Sequence, residues 1–182
     1  MSRMSMVTLA ELPGLVCPYC GRVVAPDTPW AVAAATRWGW CGVKLTVEGQ
    51  VAGLLLLSPL EEPGQAMLMN IWVRPESVRS GYGKQLLQAA SAGLLSRKVR
   101  VIIAQGSRRS MRCEAPSRDF LKAVVFARGL DDRLWRLDLD RTVADRSGVL
   151  GMVGRLFESL RPVTPPEPAG GAISGRTSRT GS

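Results

Sequence analysis

The chain has 182 residues, 46% of them hydrophobic and 21% charged, with a formal charge of +9 and no histidine. That apolar share sets it apart from disordered chains and suits one domain with a real core. The most apolar run, 51–57, is too short to span a bilayer, and 1–12 lacks the apolar stretch of a secretory signal, so no membrane partner and a cytoplasmic location are expected.

In chain order, 6–12 reads as a short opening strand ended by Pro13. Residues 14–28 are irregular and rich in Cys, Pro and Gly. Thr28-Pro29 resembles an N-cap followed by proline at the first helical position, which predicts a helix over 30–38 that Gly39 can close. Val43, Leu45 and Val47 alternate with polar residues, Glu48-Gly49-Gln50 supplies a turn, and 51–57 continues as a more buried strand, so these make a hairpin. After a loop at 59–64, 67–73 is a third strand. Over 83–95, Leu86, Leu87, Ala90, Leu94 and Leu95 mark one face of a helix. Val99 to Ala104 is β-branched and apolar, as a central strand should be. A short helix over 117–124 and a strand over 134–139 follow.

Residues 147–160 form an amphipathic helix whose apolar face suits its own sheet or a second subunit, so a homodimer is open. Beyond Arg161 the chain turns to Pro, Gly, Ser and Thr and is expected to be a disordered tail, 161–182. The order of elements suits an α/β (α+β) domain over 1–160 with a mixed sheet.

The most informative stretch runs from Val73 to Leu87. It reads as a strand end, a loop holding Gly81 and Gly83, and the first turn of a helix. The first N–H groups of a helix have no partner within it, and the helix dipole adds partial positive charge there. Gly81 and Gly83 let an anion approach the backbone, and Arg79 and Lys84 add charge. The motif is neither a Rossmann fingerprint nor a P-loop: after Gly83 comes Lys84-Gln85-Leu86, with no third glycine, and Lys84 is not followed by Ser or Thr.

A basic cluster follows: Arg97, Lys98, Arg100, Arg108, Arg109 and Arg112, with no carboxylate between. It reads as a solvated face, as a partner for a phosphorylated ligand of the nearby loop, or as a nucleic-acid patch. The tryptophans 30, 38, 40, 72 and 135 sit at helical and strand spacing, which favours core or pocket lining over base stacking.

Val73, Pro75, Glu76, Gly81 and Gly83 stand in register with the loop Val-x-Pro-Glu-x-(Arg/Gln)-x-x-Gly-x-(Gly/Ala). In this the chain resembles the GNAT superfamily of acetyl-CoA-dependent N-acetyltransferases. One position departs: Val78 stands where the family has Arg or Gln, with Arg79 one residue later. A closer likeness is to an uncharacterised bacterial subgroup, through Cys17-Pro-Tyr-Cys20, Trp38-Gly-Trp-Cys41-Gly42 and the segment from Cys113 through Pro116 to Phe120-Leu121.

The resemblance implies a GNAT-type, mainly antiparallel sheet with the strands 67–73 and 99–104 splayed apart. It implies acetyl transfer from acetyl-CoA to a primary amine by direct attack. Acetyl-CoA would contact Ile71, Trp72 and Val73, with its diphosphate on Arg79, Ser80, Gly81, Tyr82, Gly83 and Lys84. A strand N–H near 69–71 would polarise the thioester carbonyl. The acceptor, a small molecule or a protein amine, would sit among loops 14–28, 59–66 and 105–116.

The family's frequent acid, a tyrosine, falls on Leu121, and its Gly-Phe pair is Val125-Phe126. The catalytic candidates left are Cys113, Glu114, Asp119 and Tyr82, for each of which a surface or capping role is the plainer reading. The missing acid and base also suit a catalytically weak acyl-CoA-binding regulatory protein.

Cys17-x-x-Cys20 followed by Gly21 is a knuckle-like half-site for zinc. With no histidine, only Cys17, Cys20, Cys41 and Cys113 together would close a structural zinc site. The alternative is no metal and four reduced, mostly buried thiols.

Overall fold

The computed structural model describes residues 1–107, 115–129, 131 and 133–144, the last three of these by backbone alone. Cys113, Glu114, Arg108, Arg109, Arg112, the helix expected at 147–160 and the tail 161–182 lie outside the described residues.

Among the described residues seven strands form one sheet in the order β1-β2-β3-β4-β5-β7-β6. They are β1 (Ser2–Val7), β2 (Gly42–Val47), β3 (Gln50–Pro59), β4 (Gln65–Val73), β5 (Val101–Gln105), β6 (Ala127–Arg128) and β7 (Leu134–Asp138). All neighbours are antiparallel except β4 and β5. Among the described residues four helices accompany them: α1 (Pro29–Trp38), α2 (Tyr82–Ser96), α3 (Arg118–Ala123) and α4 (Leu139–Ala144).

The chain's own punctuation explains most boundaries. Pro29 opens α1, and Gly39 closes it in the left-handed conformation, with its N–H donating to Ala35 O. Glu48 and Gly49 both have positive φ, 50° and 81°. That is the backbone of a tight two-residue hairpin turn whose twist matches its strands. Ser117 caps α3 by accepting from the Phe120 N–H.

The opening differs from the reading of the sequence. The strand ends at Val7, and Leu9–Gly14 is a 3-10 helix containing Pro13. The Glu11 carboxylate accepts from the Thr8 N–H and hydroxyl, at 2.9 and 3.1 Å, and this local closure competes with further strand. β6 and α4 were not expected either. A two-residue strand and a helix of six residues have too little periodicity to show in sequence.

The core is continuous across the sheet and centres on Leu54, Leu55, Leu56 and Leu57 of β3, all nearly inaccessible. Side chains on successive strand residues face opposite sides. Gly53, Leu55, Ile71 and Val73 share one face, where a Cβ on Gly53 would lie 2.9 Å from Leu86 of α2. Leu54, Leu56, Asn70 and Trp72 share the other, which the segment from Leu15 to Val24 lines.

Candidate active site

The site begins where β5 leaves β4. β3 accompanies β4 from Ala66 to Val73, but β5 pairs only with Gln65 through Leu68. Leu56 opposes Asn70 while Leu57 opposes Leu68, so Met69 is an extra residue and β4 bulges there. Bulges bend a strand and increase its twist, which carries the rest of β4 away from β5.

Main-chain groups alternate sides along a strand. Arg74 N–H donates to Ala52 O on β3, so Trp72 and Asn70 also turn their main-chain groups to β3. Ile71 and Val73 therefore direct theirs into the gap that β5 vacates. The Val73 carbonyl confirms this direction: it accepts from the Tyr19 hydroxyl at 2.5 Å.

Past β4 the chain is pinned before it turns. Arg74 Nε donates to Val51 O at 2.6 Å and Nη1 to Gln50 Oε1 at 3.1 Å. A 3-10 turn, Pro75–Ser77, leads to Arg79 at φ 70° and Gly81 at φ 78°. Gly81 is the N-cap of α2, no side chain caps that end, and the first bond into the helix is Gln85 N–H to Gly81 O. The N–H groups of Tyr82, Gly83 and Lys84 thus precede the hydrogen-bonded helix. Gly83 is glycine for space: a Cβ there would lie 2.9 Å from Phe120 Cε2 of α3.

These pieces enclose a cleft of about 420 Å³. Of the positions proposed from sequence, Ile71, Trp72, Val73, Arg79, Gly81, Tyr82, Gly83 and Lys84 line it, and Ser80 does not. Its cations are Arg79 and Lys84, and no carboxylate lines it among the described residues. Asp119 is exposed on the first turn of α3 and is not part of the lining. Tyr19, Ser117 and Phe120 line the cleft too. Phe120 lies in a motif already read from the sequence, whereas Tyr19 sits 54 residues from its partner, and no local pattern announces that contact.

Behind β4, on the face of Asn70 and Trp72, lies a second pocket of about 160 Å³. Trp72 borders both spaces. Asn70 Oδ1 is buried there with no hydrogen-bond partner.

Arg97 and Lys98 of the basic cluster are not beside the glycine loop. α2 has 15 residues, about 22 Å of helix at 1.5 Å per residue, and Arg97 and Lys98 follow its other end. They suit the negative pole of the helix dipole there. Arg100 pairs with Asp140 at 2.6 Å.

Cys17 and Cys20 lie 3.6 Å apart in a turn closed by Gly21 N–H to Cys17 O. Cys41 is not with them: among the described residues no three acidic, cysteine or histidine side chains group as a metal site. The Cys41 thiol is fully buried and donates to Val7 O at 3.4 Å. Burial pushes its pKa up to about 11. The zinc reading finds no support in these residues.

The sequence pattern of the acetyltransferase (GNAT) family matches residues 18–113. The chain belongs to the acetyltransferase (GNAT) family. Membership makes it an acyltransferase by kind. Solved structures share the fold. The ribosomal-protein-S18-alanine N-acetyltransferase from Escherichia coli is 19% identical with a TM-score of 0.55, over 76% of this chain and 94% of that one. PaiA N-acetyltransferase from Thermoplasma acidophilum, in complex with coenzyme A, is 12% identical with a TM-score of 0.59, over 76% and 99%. YncA from Salmonella typhimurium, with its cofactor acetyl-CoA, is 15% identical with a TM-score of 0.57, over 76% and 94%. No curated protein sequence matches the chain significantly. No helix among the described residues is long and apolar enough to cross a membrane.

Proposed function

We propose that this GNAT protein transfers an acetyl group from acetyl-CoA to a primary amine by direct attack. The observation that carries the reading is the parting of β4 and β5 after Leu68, which turns the Ile71 and Val73 main chain into a cleft continuous with the uncapped start of α2. The residues fit the cosubstrate. The N–H groups of Tyr82, Gly83 and Lys84 suit a diphosphate, and Arg79 and Lys84 supply charge against it. The apolar walls, Ile71, Val78, Phe120 and Val124 among them, suit the pantetheine arm. Similar folds that hold coenzyme A and acetyl-CoA support the same assignment.

Acetyl-CoA supplies an activated acyl carbon on a thiol leaving group. The Ile71 N–H donates to the carbonyl oxygen, where negative charge builds as nitrogen attacks. The cleft holds amine and thioester together, which replaces a bimolecular encounter by a local one. Among the described residues the lining has no carboxylate, and the ammonium proton leaves through water before attack.

That same lack favours one second reading, an acyl-CoA-binding module with little turnover. Titration calorimetry with acetyl-CoA and a thiol-release assay over an amine panel test both. Binding with amine-dependent thiol release is the expected result; binding without release at any amine selects the second reading, and no binding overturns both. The likeness to the bacterial subgroup with an N-terminal Cys-x-x-Cys rests on the sequence motifs alone.

A further inference from the structure

Resting on the acetyltransferase reading, we infer that Cys17 and Cys20 form a reversible disulfide that gates acetyl-CoA binding by drawing the Tyr19 hydroxyl off the Val73 carbonyl. The two cysteines flank Tyr19 in one turn, and Tyr19 reaches from that turn into the cleft.

The pair is placed to close. Neither residue is in a disulfide, and they lie 3.6 Å apart. Residues three apart in a turn keep their Cα atoms within about 7 Å, close to the longest span a disulfide accepts. Cys20 is exposed and meets solvent, while Cys17 is buried beside it. An accessible thiol with a second thiol next to it is the arrangement of a redox-sensing pair.

The oxidant is a low-molecular-weight disulfide. The Cys20 thiolate attacks one of its sulfurs, and the other sulfur leaves with the bonding electrons and takes up the proton that Cys20 released. The Cys17 thiolate then attacks the Cys20 sulfur and expels the second small thiol in the same way. The two protein thiols lose two electrons and two protons, and the small disulfide gains both. A thiol reductant reverses the steps.

Closing the bond moves the turn. A disulfide holds its sulfurs at about 2.05 Å, so the pair must approach by at least about 1.5 Å. Cys17 is the fixed end: it is buried, its N–H donates to Arg22 O and its carbonyl accepts from Gly21 N–H, both at 2.9 Å. Cys20 therefore does most of the moving, and Tyr19 is joined to it. The bond from Tyr19 to Val73 O is already 2.5 Å long, at the short limit for O–H···O, so a shift of the turn can only lengthen or bend it.

The Val73 main chain faces the cleft, where the Tyr19 phenol takes its carbonyl and fills the space in front of it. An amide N–H of the pantetheine arm competes for the same oxygen. The dithiol state thus holds this part of the cleft shut, and the disulfide opens it.

The test prepares the protein reduced, or treated with oxidised glutathione and then freed of reagent. Peptide mass spectrometry of the treated parent should find Cys17 joined to Cys20. Calorimetry should show it binding acetyl-CoA about threefold or more tightly than the reduced parent, with a phosphine reductant restoring the first value. Cys20→Ser, at an exposed position, should keep the reduced parent's affinity after the same treatment. Tyr19→Phe has no hydroxyl to withdraw; it should form the disulfide yet bind acetyl-CoA equally in both states. A treated parent without the Cys17–Cys20 bond overturns the inference. So does a disulfide that leaves acetyl-CoA affinity unchanged or weaker, or a folded Tyr19→Phe that still responds to oxidation. If neither state binds acetyl-CoA, the acetyltransferase reading falls and the gate with it, while the mass measurement still decides the disulfide.

Discussion

The phenol of Tyr19 donates to the main-chain carbonyl of Val73 at 2.5 Å, tying the turn between Cys17 and Cys20 to the last residue of β4. The contact spans 54 residues and sits inside the cleft. Tyr19→Phe removes the hydroxyl and leaves the ring. Water can reach the exposed side of the cleft, so the loss should be about 0.5–1.5 kcal/mol, a fall in Tm of a few degrees. Thermal unfolding followed by circular dichroism checks it, and an unchanged Tm would show that the bond adds nothing.

Val125 is a β-branched residue at φ 64°, where L side chains are strained, and it is 61% exposed. It follows α3 as a left-handed C-terminal cap, with its N–H donating to Lys122 O and that of Phe126 to Leu121 O. Val125→Gly relieves the strain and gives up little packing. It should raise stability by about 1 kcal/mol, the strain relieved exceeding the added freedom of the unfolded chain. A lower midpoint in urea would contradict this.

The Glu11 carboxyl is held below its ordinary value, chiefly by its hydrogen bond to Lys44 at 2.5 Å and then by the Thr8 N–H. A lowered folded pKa contributes stability above the unfolded value, 4.5, and loses it as pH falls through the folded one. The pair is partly exposed, so Glu11→Gln should cost under about 1 kcal/mol at pH 7. The difference between variant and parent should close as acid is added below pH 4.5. Paired urea melts across pH measure it, and a gap that widens in acid would reverse the sign.

Cys20 is exposed, while Cys41 is fully buried with its thiol pushed up to about 11. Alkylation with iodoacetamide at about pH 8 should label Cys20 at least about 100-fold faster than Cys41. Peptide mass spectrometry over time reads both sites. Equal rates in the folded protein would mean that the segment around Cys41 opens readily.

Much of the fold was legible because local chemistry and tertiary placement agree. Pro29 and Gly39 bound α1, Glu48-Gly49 turns the hairpin, and Gly81 and Gly83 mark the start of α2. The splay of the two strands at the cleft was implied by the family resemblance, but residue patterns alone do not show what opens it. The extra residue Met69 looks like any strand residue, because a bulge is defined by the partner strand. The early end of the β4–β5 pairing is a property of two strands at once. Tyr19 carries no periodic signal, and its role rests on a distant carbonyl. Arg97 and Lys98 were misplaced because nearness in sequence is not nearness in space: a whole helix separates Gly81 from Arg97.

The account stands most directly on acetyl-CoA binding at the start of α2, and Gly81→Asp isolates it. A Cβ at Gly81 meets nothing within 4 Å, and Asp tolerates the left-handed conformation better than most residues, so the fold should survive. Its carboxylate would compete for the N–H groups of Tyr82 to Lys84 and repel a diphosphate. By titration calorimetry the parent should bind acetyl-CoA, and folded Gly81→Asp should bind it about 100-fold or more weakly, about 2.7 kcal/mol. Equal affinity in the two proteins would place the cosubstrate elsewhere and contradict the account.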